Sequence, residues 1–339
     1  MKVLLFKPGA IGDLLQLTPV VRAIRGRMPE SRITLMVGSA ASAELFAHHP
    51  LVDEVLVFDR KGRHRSWRVF GSLWAEVRRR RFDLVVNYQR SNWKGWVLVA
   101  AAVPCRLLVY RKARGRVVHA VENHLEAVAA LGIDPRTADH RLELHPGAGD
   151  VRWADELLER EGLAGRPLAA LNPGASHPVN RWAAGHFAEL AGRLYAELGV
   201  GVLLVGGPQD RELADAVAGG AGAPVVDCVG RASLLQTAAL LSRCSVAVSG
   251  DTGPMHMATA VGTKVVALFG AADPARTGPV GEGHAVLYAR EVPCVPCRSR
   301  ECAHIPRLEC MERITVDAVF EAVRRVLRSG TGAGRLPGP

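Results

Sequence analysis

Aromatic side chains are scarce in this chain: Phe, Trp and Tyr together make up 5% of its 339 residues. Ala, Val, Leu and Gly carry the apolar content instead, which favours helices and buried strands. Long hydrophobic runs are missing as well. The longest, Trp96 to Val103, falls far short of the roughly 20 residues that a membrane span requires. The N-terminus has Lys7 directly after a four-residue apolar run, which excludes the charged-then-apolar layout of a secretory signal. Together these two absences predict a cytoplasmic protein.

Several chemistries are excluded in the same way. There is no G-x-x-x-x-G-K-[ST] phosphate loop, no G-x-G-x-x-G after a strand, and no G-x-S-x-G elbow, so ATPase, dehydrogenase and α/β-hydrolase readings lose ground. No helix-turn-helix, zinc-finger or RNA-recognition signature is present, and no nucleic-acid partner is expected. Low complexity is confined to the Gly/Pro-rich tail, 329–339, where disorder is expected.

What is present points to two globular domains. With 48% hydrophobic and 22% charged residues, the composition is that of a folded chain, and the length suits two domains of about 150 residues each. Short Val- and Leu-rich runs alternate with helical stretches. Val3–Phe6, Ile33–Val37, Val55–Phe58, Leu84–Asn87 and Arg106–Val109 read as strands of the first half. Leu168–Asn172, Gly201–Val205, Val225–Asp227, Val246–Ser249 and Val265–Phe269 read as strands of the second. Continuous apolar strands alternating with helices are the mark of parallel α/β sheets. Two Rossmann-like domains are therefore expected, 1–150 and 151–328, joined where His145-Pro-Gly-Ala-Gly-Asp breaks the pattern.

The net charge is +10, from 43 Lys and Arg against 33 Asp and Glu, which asks for an anionic partner. The basic clusters lie in the first half. Arg60, Lys61, Arg63, Arg65 and Arg68 fill one loop ending at Trp67 and its neighbours, and this loop reads as a binding element. For the run Arg78–Arg81, a solvated helix end and a binding role stand equally.

Two turns carry the sharpest signals, both at strand C-terminal ends, where open α/β sheets bind ligands. Lys7-Pro8-Gly9-Ala10-Ile11-Gly12-Asp13 runs from the first strand into a helix. Asp13 at a helix start has two readings: a cap that accepts orphan amide hydrogen bonds, or a catalytic base. Val248 to His256, with Gly250, Asp251, Thr252 and Gly253 between, follows a buried strand and opens a helix. Bared amides, the Thr252 hydroxyl and the helix N-terminus suit a pyrophosphate, with His256 as a further donor. A plain turn over a buried His is the alternative.

These residues carry a family resemblance. Lys7 to Pro19 resembles the opening motif of glycosyltransferase family 9, the ADP-heptose:lipopolysaccharide heptosyltransferases and their relatives. Asn172-Pro-Gly-Ala-Ser176 with Arg181-Trp182, then Gly206-Gly207-Pro208, Asp251 to His256 and Phe269 to Pro279 match its later motifs in order. The resemblance implies a GT-B fold, two Rossmann-like domains with parallel sheets facing an interdomain cleft. The first domain would bind the acceptor and the second ADP-heptose.

It further implies an inverting transfer of heptose to the inner core of lipopolysaccharide, a Kdo- and heptose-bearing acceptor on lipid A. Asp13 would be the base, and no cofactor would be required. Ser176, Arg181, Thr252, Gly253 and His256 would bind the donor pyrophosphate, while Asp251 holds the loop or a sugar hydroxyl. Arg60, Lys61, Arg63 and Arg65 would grip the anionic glycolipid, with peripheral attachment to the inner face of the cytoplasmic membrane.

Two positions depart from the family pattern. Asn180 stands where a phosphate-binding Lys is usual, and Gln209 where a Glu contacts the donor. A relative using a different nucleotide sugar or acceptor remains an alternative, as do a sugar-nucleotide epimerase or hydrolase and a binding protein that has lost catalysis. Cys294, Cys297, Cys302 and Cys310 cluster near the C-terminus with His304 among them. Tetrahedral structural zinc and free or redox-active thiols are both open readings. Cys105, Cys228 and Cys244 read as small buried hydrophobes.

Overall fold

In the computed structural model, residues 1–89 and 91–329 are described. Contacts divide the chain into two compact units, parted between His145 and Pro146. Unit 1 holds strands β1 (Lys2–Phe6), β2 (Arg32–Val37), β3 (Glu54–Val57), β4 (Leu84–Asn87) and β5 (Arg106–Val109) in one parallel sheet. Its order is β3-β2-β1-β4-β5. Unit 2 holds β6 (Leu168–Asn172), β7 (Gly201–Leu204), β8 (Val225–Asp227), β9 (Val246–Gly250), β10 (Lys264–Phe269) and β11 (Ala285–Tyr288). These form a second parallel sheet, ordered β11-β10-β9-β6-β7-β8.

The ten expected strands form within a residue or so of their predicted bounds, and the central ones, β1, β2, β4, β6, β7, β9 and β10, are buried along almost their whole length. Each sheet is covered by crossover helices, which parallel pairing requires. In unit 1, Leu4, Phe6, Met36, Phe58, Phe70 and Leu98 pack into one core. In unit 2, helix Val316–Ser329 buries Val316, Val319, Phe320, Val323, Val326 and Leu327. This three-four spacing is the seam of an amphipathic helix. Each such side chain contributes roughly 1.5–3 kcal/mol when fully buried. Trp182 closes the same core, its indole N–H donating to the Ile314 carbonyl at 2.7 Å.

Strand β11 is absent from the sequence reading. It is a four-residue edge strand with Val286 exposed, close in length and burial to the edge strand β5. The domain boundary also shifts from the expected 150/151. Helix Ala148–Arg160 begins just after the Pro146-Gly147 break. Its Asp155 takes a two-toothed hydrogen bond from Arg243 (2.7 and 2.9 Å) at the end of helix Leu234–Arg243. The helix therefore belongs to unit 2. Of the tail 329–339, Ser329 is the last residue of helix Val316–Ser329, and the rest lies outside the described residues.

The strand orders place two switch points, where successive connections leave in opposite directions and a ligand crevice opens at the carboxyl edge. In unit 1 the switch lies between β1 and β4; in unit 2, between β6 and β9.

Candidate active-site loops

At the unit 1 switch point the chain leaves β1 through Lys7, whose N–H donates to the Met36 carbonyl at 3.0 Å. Gly9 turns it with φ +142°, a conformation that costs only glycine nothing. Helix Ile11–Leu15 follows with Asp13 as its third residue. The cap is present: the Ala10 N–H donates to Asp13 Oδ2 at 3.2 Å. It does not consume the carboxylate. The other oxygen meets Lys7 Nζ at 3.2 Å, and the side chain stays 45% exposed while that of Lys7 is 11% exposed.

Beneath this pair lies His124, which the sequence reading missed. It is buried, its Nδ1 lies 3.3 Å from the Gln16 carbonyl, and its ring meets Tyr88 edge-on. Burial pushes the imidazole well below its usual pKa; the Lys7 ammonium adds to this and the Asp13 carboxylate opposes it. Nothing in the local sequence marks His124, which stands 111 positions from Asp13 in the numbering.

The basic loop is fixed by its own turn. The Asp59 carboxylate accepts from the N–H groups of Gly62 (2.8 Å) and Arg63 (3.1 Å). Those bonds hold it below the usual carboxylate pKa range. His64 is buried beside Phe58 and accepts from the Asp59 N–H at 3.1 Å. Arg60, Lys61, Arg63 and Arg65 are left exposed, and among the described residues none of the four makes an ion pair. A cationic, unpartnered turn is what an acidic ligand would meet.

At the unit 2 switch point, Asn172 at the end of β6 is buried. Its Nδ2 donates to the Gly174 carbonyl (3.2 Å), Ser249 Oγ (3.0 Å) and Thr252 Oγ1 (2.9 Å). This side chain ties the loop after β6 to the loop after β9. It appeared in the sequence only as the first letter of a motif. Ser249 and Thr252 also share a hydrogen bond of 2.9 Å, so the Thr252 hydroxyl is already engaged in holding the loop. Gly250 is required by close approach: a Cβ there would lie 2.7 Å from the Asn180 carbonyl oxygen.

Thr252 caps helix Gly253–Ala260 with extended backbone, and Pro254 follows at the helix start. Gly253 thus opens that helix, and His256 sits in its first turn, buried, with Nε2 3.9 Å from Asp251 Oδ1. Asp251 accepts from the Thr277 hydroxyl at 3.1 Å, which joins the loop after β9 to the segment after β10. On the other side, Arg181 clamps the Ala175 carbonyl through Nε (3.0 Å) and Nη2 (2.9 Å). Ser176 is exposed beside that clamp, and Asn180 is partly buried with its Oδ1 unpartnered. Gln209 is exposed and donates to Asp210 Oδ2 at 3.0 Å. Asp210, also missed from sequence, is buried and takes the Gly207 N–H at 3.1 Å. The donor candidates thus stand on the loops after β6, β7 and β9 at one sheet edge; Asn172 ties the first to the third, Arg181 braces the first internally, and Asp251 ties the third to the segment after β10.

The four cysteines share one small pocket with His304 and Glu309. Cys294 and Cys297 are exposed, Cys302 half-buried and Cys310 buried. His304 is tied to Glu309 at 2.6 Å. The thiols do not converge as a tetrahedral zinc set would. Among the described residues, the group of three or more such side chains whose ligand atoms all lie within 4.8 Å of one another is His49, Glu143 and His145. There, the Leu51 N–H donates to His49 Nδ1 at 3.2 Å, which leaves the neutral ring's proton on Nε2. A metal-bound histidine has the opposite arrangement, so this group reads as an internal polar cluster.

Comparisons with known proteins place the chain in one family and one fold. The model of glycosyltransferase family 9 (heptosyltransferase) matches residues 70–306. Lipopolysaccharide heptosyltransferase 1 of Pseudomonas aeruginosa is 28% identical over 91% of this chain and 89% of its own length. A solved family 9 glycosyltransferase from Veillonella parvula superposes with a TM-score of 0.84 at 23% identity, over 97% of this chain and 98% of that one. The E. coli heptosyltransferase WaaC, solved with ADP, gives 0.71 at 21% identity over 96% and 100%. Among the described residues, no helix is long and apolar enough to cross a membrane.

Proposed function

The chain belongs to glycosyltransferase family 9, the heptosyltransferase family, and from that premise we propose that it moves a heptose from ADP-heptose to an acidic lipopolysaccharide inner-core acceptor with inversion at the anomeric carbon. The observation that carries the reading is the placement of its candidates. Asp13 stands at the switch point of one sheet, and the Asn172-tied loops stand at the switch point of the other.

The chemistry follows from the groups. The Asp13 carboxylate takes the proton of the acceptor hydroxyl, which general-base catalysis asks of a group within hydrogen-bond reach. The freed oxygen bonds to the anomeric carbon as the bond to the ADP oxygen breaks, and the electron pair leaves with ADP. Negative charge grows on the pyrophosphate, where the amides at Gly253 and the start of its helix supply preorganised donors. Ser176, Arg181 and His256 complete that set, and Asp251 holds the loop to Thr277. Asn180 and Gln209 face the donor as uncharged hydrogen-bonding groups. The exposed cations Arg60, Lys61, Arg63 and Arg65 bind the acceptor's phosphates and carboxylates.

The test is purified protein incubated with ADP-heptose, with and without a Kdo-bearing lipid A acceptor, while ADP release and the product's anomeric configuration are followed. Transfer predicts ADP release only with acceptor, and a product of opposite configuration. Consumption of donor without acceptor would instead identify an epimerase or hydrolase. Turnover with another nucleotide sugar in place of ADP-heptose would move the chain to a neighbouring branch.

A further inference from the structure

Four of the chain's six tryptophans are solvent-exposed, and all four lie on two neighbouring helices of unit 1. Trp67 (62% exposed) and Trp74 (38%) belong to helix Trp67–Arg80; Trp93 (58%) and Trp96 (37%) belong to helix Trp93–Ala101. A single exposed tryptophan needs no explanation, whereas a contiguous apolar patch marks an interaction surface.

The two helices meet along this surface. Trp67 and Trp93 stand 5.5 Å apart between ring centroids, and Lys94 Nζ lies 4.6 Å over the Trp67 ring. At the far end Arg78 donates to the Val103 carbonyl. Contacts at both starts and both ends set the two helices side by side and parallel. Residues 67 and 74 are seven apart, so they share one helix face. Residues 93, 96 and 100 share another by the same spacing, and Trp93, Trp96 and Ala100 are the exposed ones there. Beyond them Val103 is 53% exposed. The second helix therefore shows solvent a face with no charged residue, because Lys94, its one ionic side chain, is drawn over Trp67 and bonded to the Arg65 carbonyl at 3.2 Å.

The segment that carries the first of these helices is strongly cationic. Between positions 60 and 81 stand Arg60, Lys61, Arg63, Arg65, Arg68, Arg78, Arg79, Arg80 and Arg81, against a single acid, Glu76. Glu76 is already paired with Arg80 at 2.6 Å. Tryptophan rings flanked by Lys and Arg are the composition that settles at a bilayer's headgroup level, rings at the acyl boundary and cations on anionic phosphates.

We propose that the Trp67, Trp74, Trp93 and Trp96 face of unit 1 docks on an anionic lipid bilayer. The docked face begins at the end of the basic loop. The starts of both helices follow the carboxyl ends of β3 and β4, so the lipid surface would adjoin the edge where the acceptor is proposed to bind. Only this last point rests on the proposed function; bilayer docking itself requires no substrate.

The experiment uses the full chain with vesicles of phosphatidylglycerol and phosphatidylethanolamine, against vesicles of phosphatidylcholine. Sedimentation gives partitioning, and quenching of tryptophan fluorescence by lipids brominated along the acyl chain gives depth. The double variants Trp67→Ser/Trp93→Ser and Trp74→Ser/Trp96→Ser are compared with Val286→Ser, an exposed apolar control in unit 2. The expected result is binding to anionic vesicles that weakens with salt, quenching by shallow bromines, and about tenfold weaker partitioning for each Trp pair. The control should bind as the wild type does. On a delipidated, water-soluble acceptor sugar the Trp variants should keep wild-type turnover, and on a vesicle-embedded acceptor they should lose it.

Absence of vesicle binding by the wild type would overturn the proposal. So would binding that both Trp pairs leave unchanged at unaltered melting temperature. Turnover lost on the soluble sugar with vesicle binding intact would make the patch a sugar platform instead. A dimer that the Trp variants dissociate, without vesicle binding, would make it a protein contact. Since vesicle binding is measured without donor or acceptor, failure of docking and failure of the proposed activity are read separately.

Discussion

Lys7 Nζ lies 3.2 Å from Asp13 Oδ1, and the other Asp13 oxygen takes the Ala10 N–H at 3.2 Å. One carboxylate is thus held at both oxygens by the turn that precedes it, yet keeps 45% of its surface open. An ion pair of this exposure contributes only about 0–1 kcal/mol to stability. Its consequence is orientation: Asp13 is presented in one rotamer, with its remaining lone pairs available to an incoming hydroxyl.

Asp13→Asn separates the cap from the base. The amide oxygen still accepts from Ala10, so the melting temperature should stay close to wild type. Turnover should fall by about 10²–10⁴, the usual worth of a positioned base, with donor affinity retained. ADP release and calorimetric donor binding measure the two. Near-normal turnover would leave Asp13 with its capping role alone.

Lys7→Met should lower kcat by about tenfold, in keeping with a modest misplacement of the base, and leave the donor KM unchanged. Lys7→Arg should recover much of the loss, because the cation can still meet the carboxylate. A purely structural Lys7 would show the reverse, with a lowered melting temperature and normal kcat.

Asn172→Asp keeps volume and removes the N–H groups that join Gly174, Ser249 and Thr252. Loss of these buried bonds should cost about 1–3 kcal/mol and raise the donor KM. The acceptor KM should not move. Steady-state kinetics with each substrate varied in turn, alongside thermal melting, would show whether the loops after β6 and β9 act as one donor element.

Arg63→Glu combined with Arg65→Glu should raise the acceptor KM by tenfold or more, since each charge-assisted bond is worth about 1.5–3 kcal/mol. Donor binding should be untouched. The wild-type acceptor KM should climb with salt while that of the variant responds less. Unchanged acceptor kinetics would remove this loop from the acceptor site.

Stability should fall on mild acidification. Burial and the neighbouring His145 lower the His49 pKa to about 4, and burial lowers that of His124. In the unfolded chain a histidine takes its proton near 6.5, so between those values the unfolded state holds more protons than the folded one. The stabilisation is complete above pH 6.5 and is lost as pH falls from 6.5 toward 4, by at most about 3 kcal/mol for His49. Urea midpoints measured across that range should drop for the wild type and drop less for His49→Gln, which keeps His124.

Among the described residues, ten of the eleven strands could be read from sequence; the central ones are buried on both faces and so apolar throughout, a pattern that survives in one dimension. The same holds for Asp13 and for Asp251 to His256, since turn glycines, a helix start and a strand end are all local. β11 was not read, although its length and exposure match those of β5. For the cysteines, spacing along the chain does not say whether the thiols converge on one point.

What only the tertiary structure decided is which distant side chains meet. It set His124 under the Lys7 and Asp13 pair, made Asn172 the tie between the loops after β6 and β9, and brought the exposed tryptophans of two neighbouring helices together at Trp67 and Trp93. Strand order and helix packing place these groups, and both follow from burial summed over the whole chain. The sequence by itself determined which chemistry the chain carries; the packing of its sheets and helices decided where that chemistry is brought together.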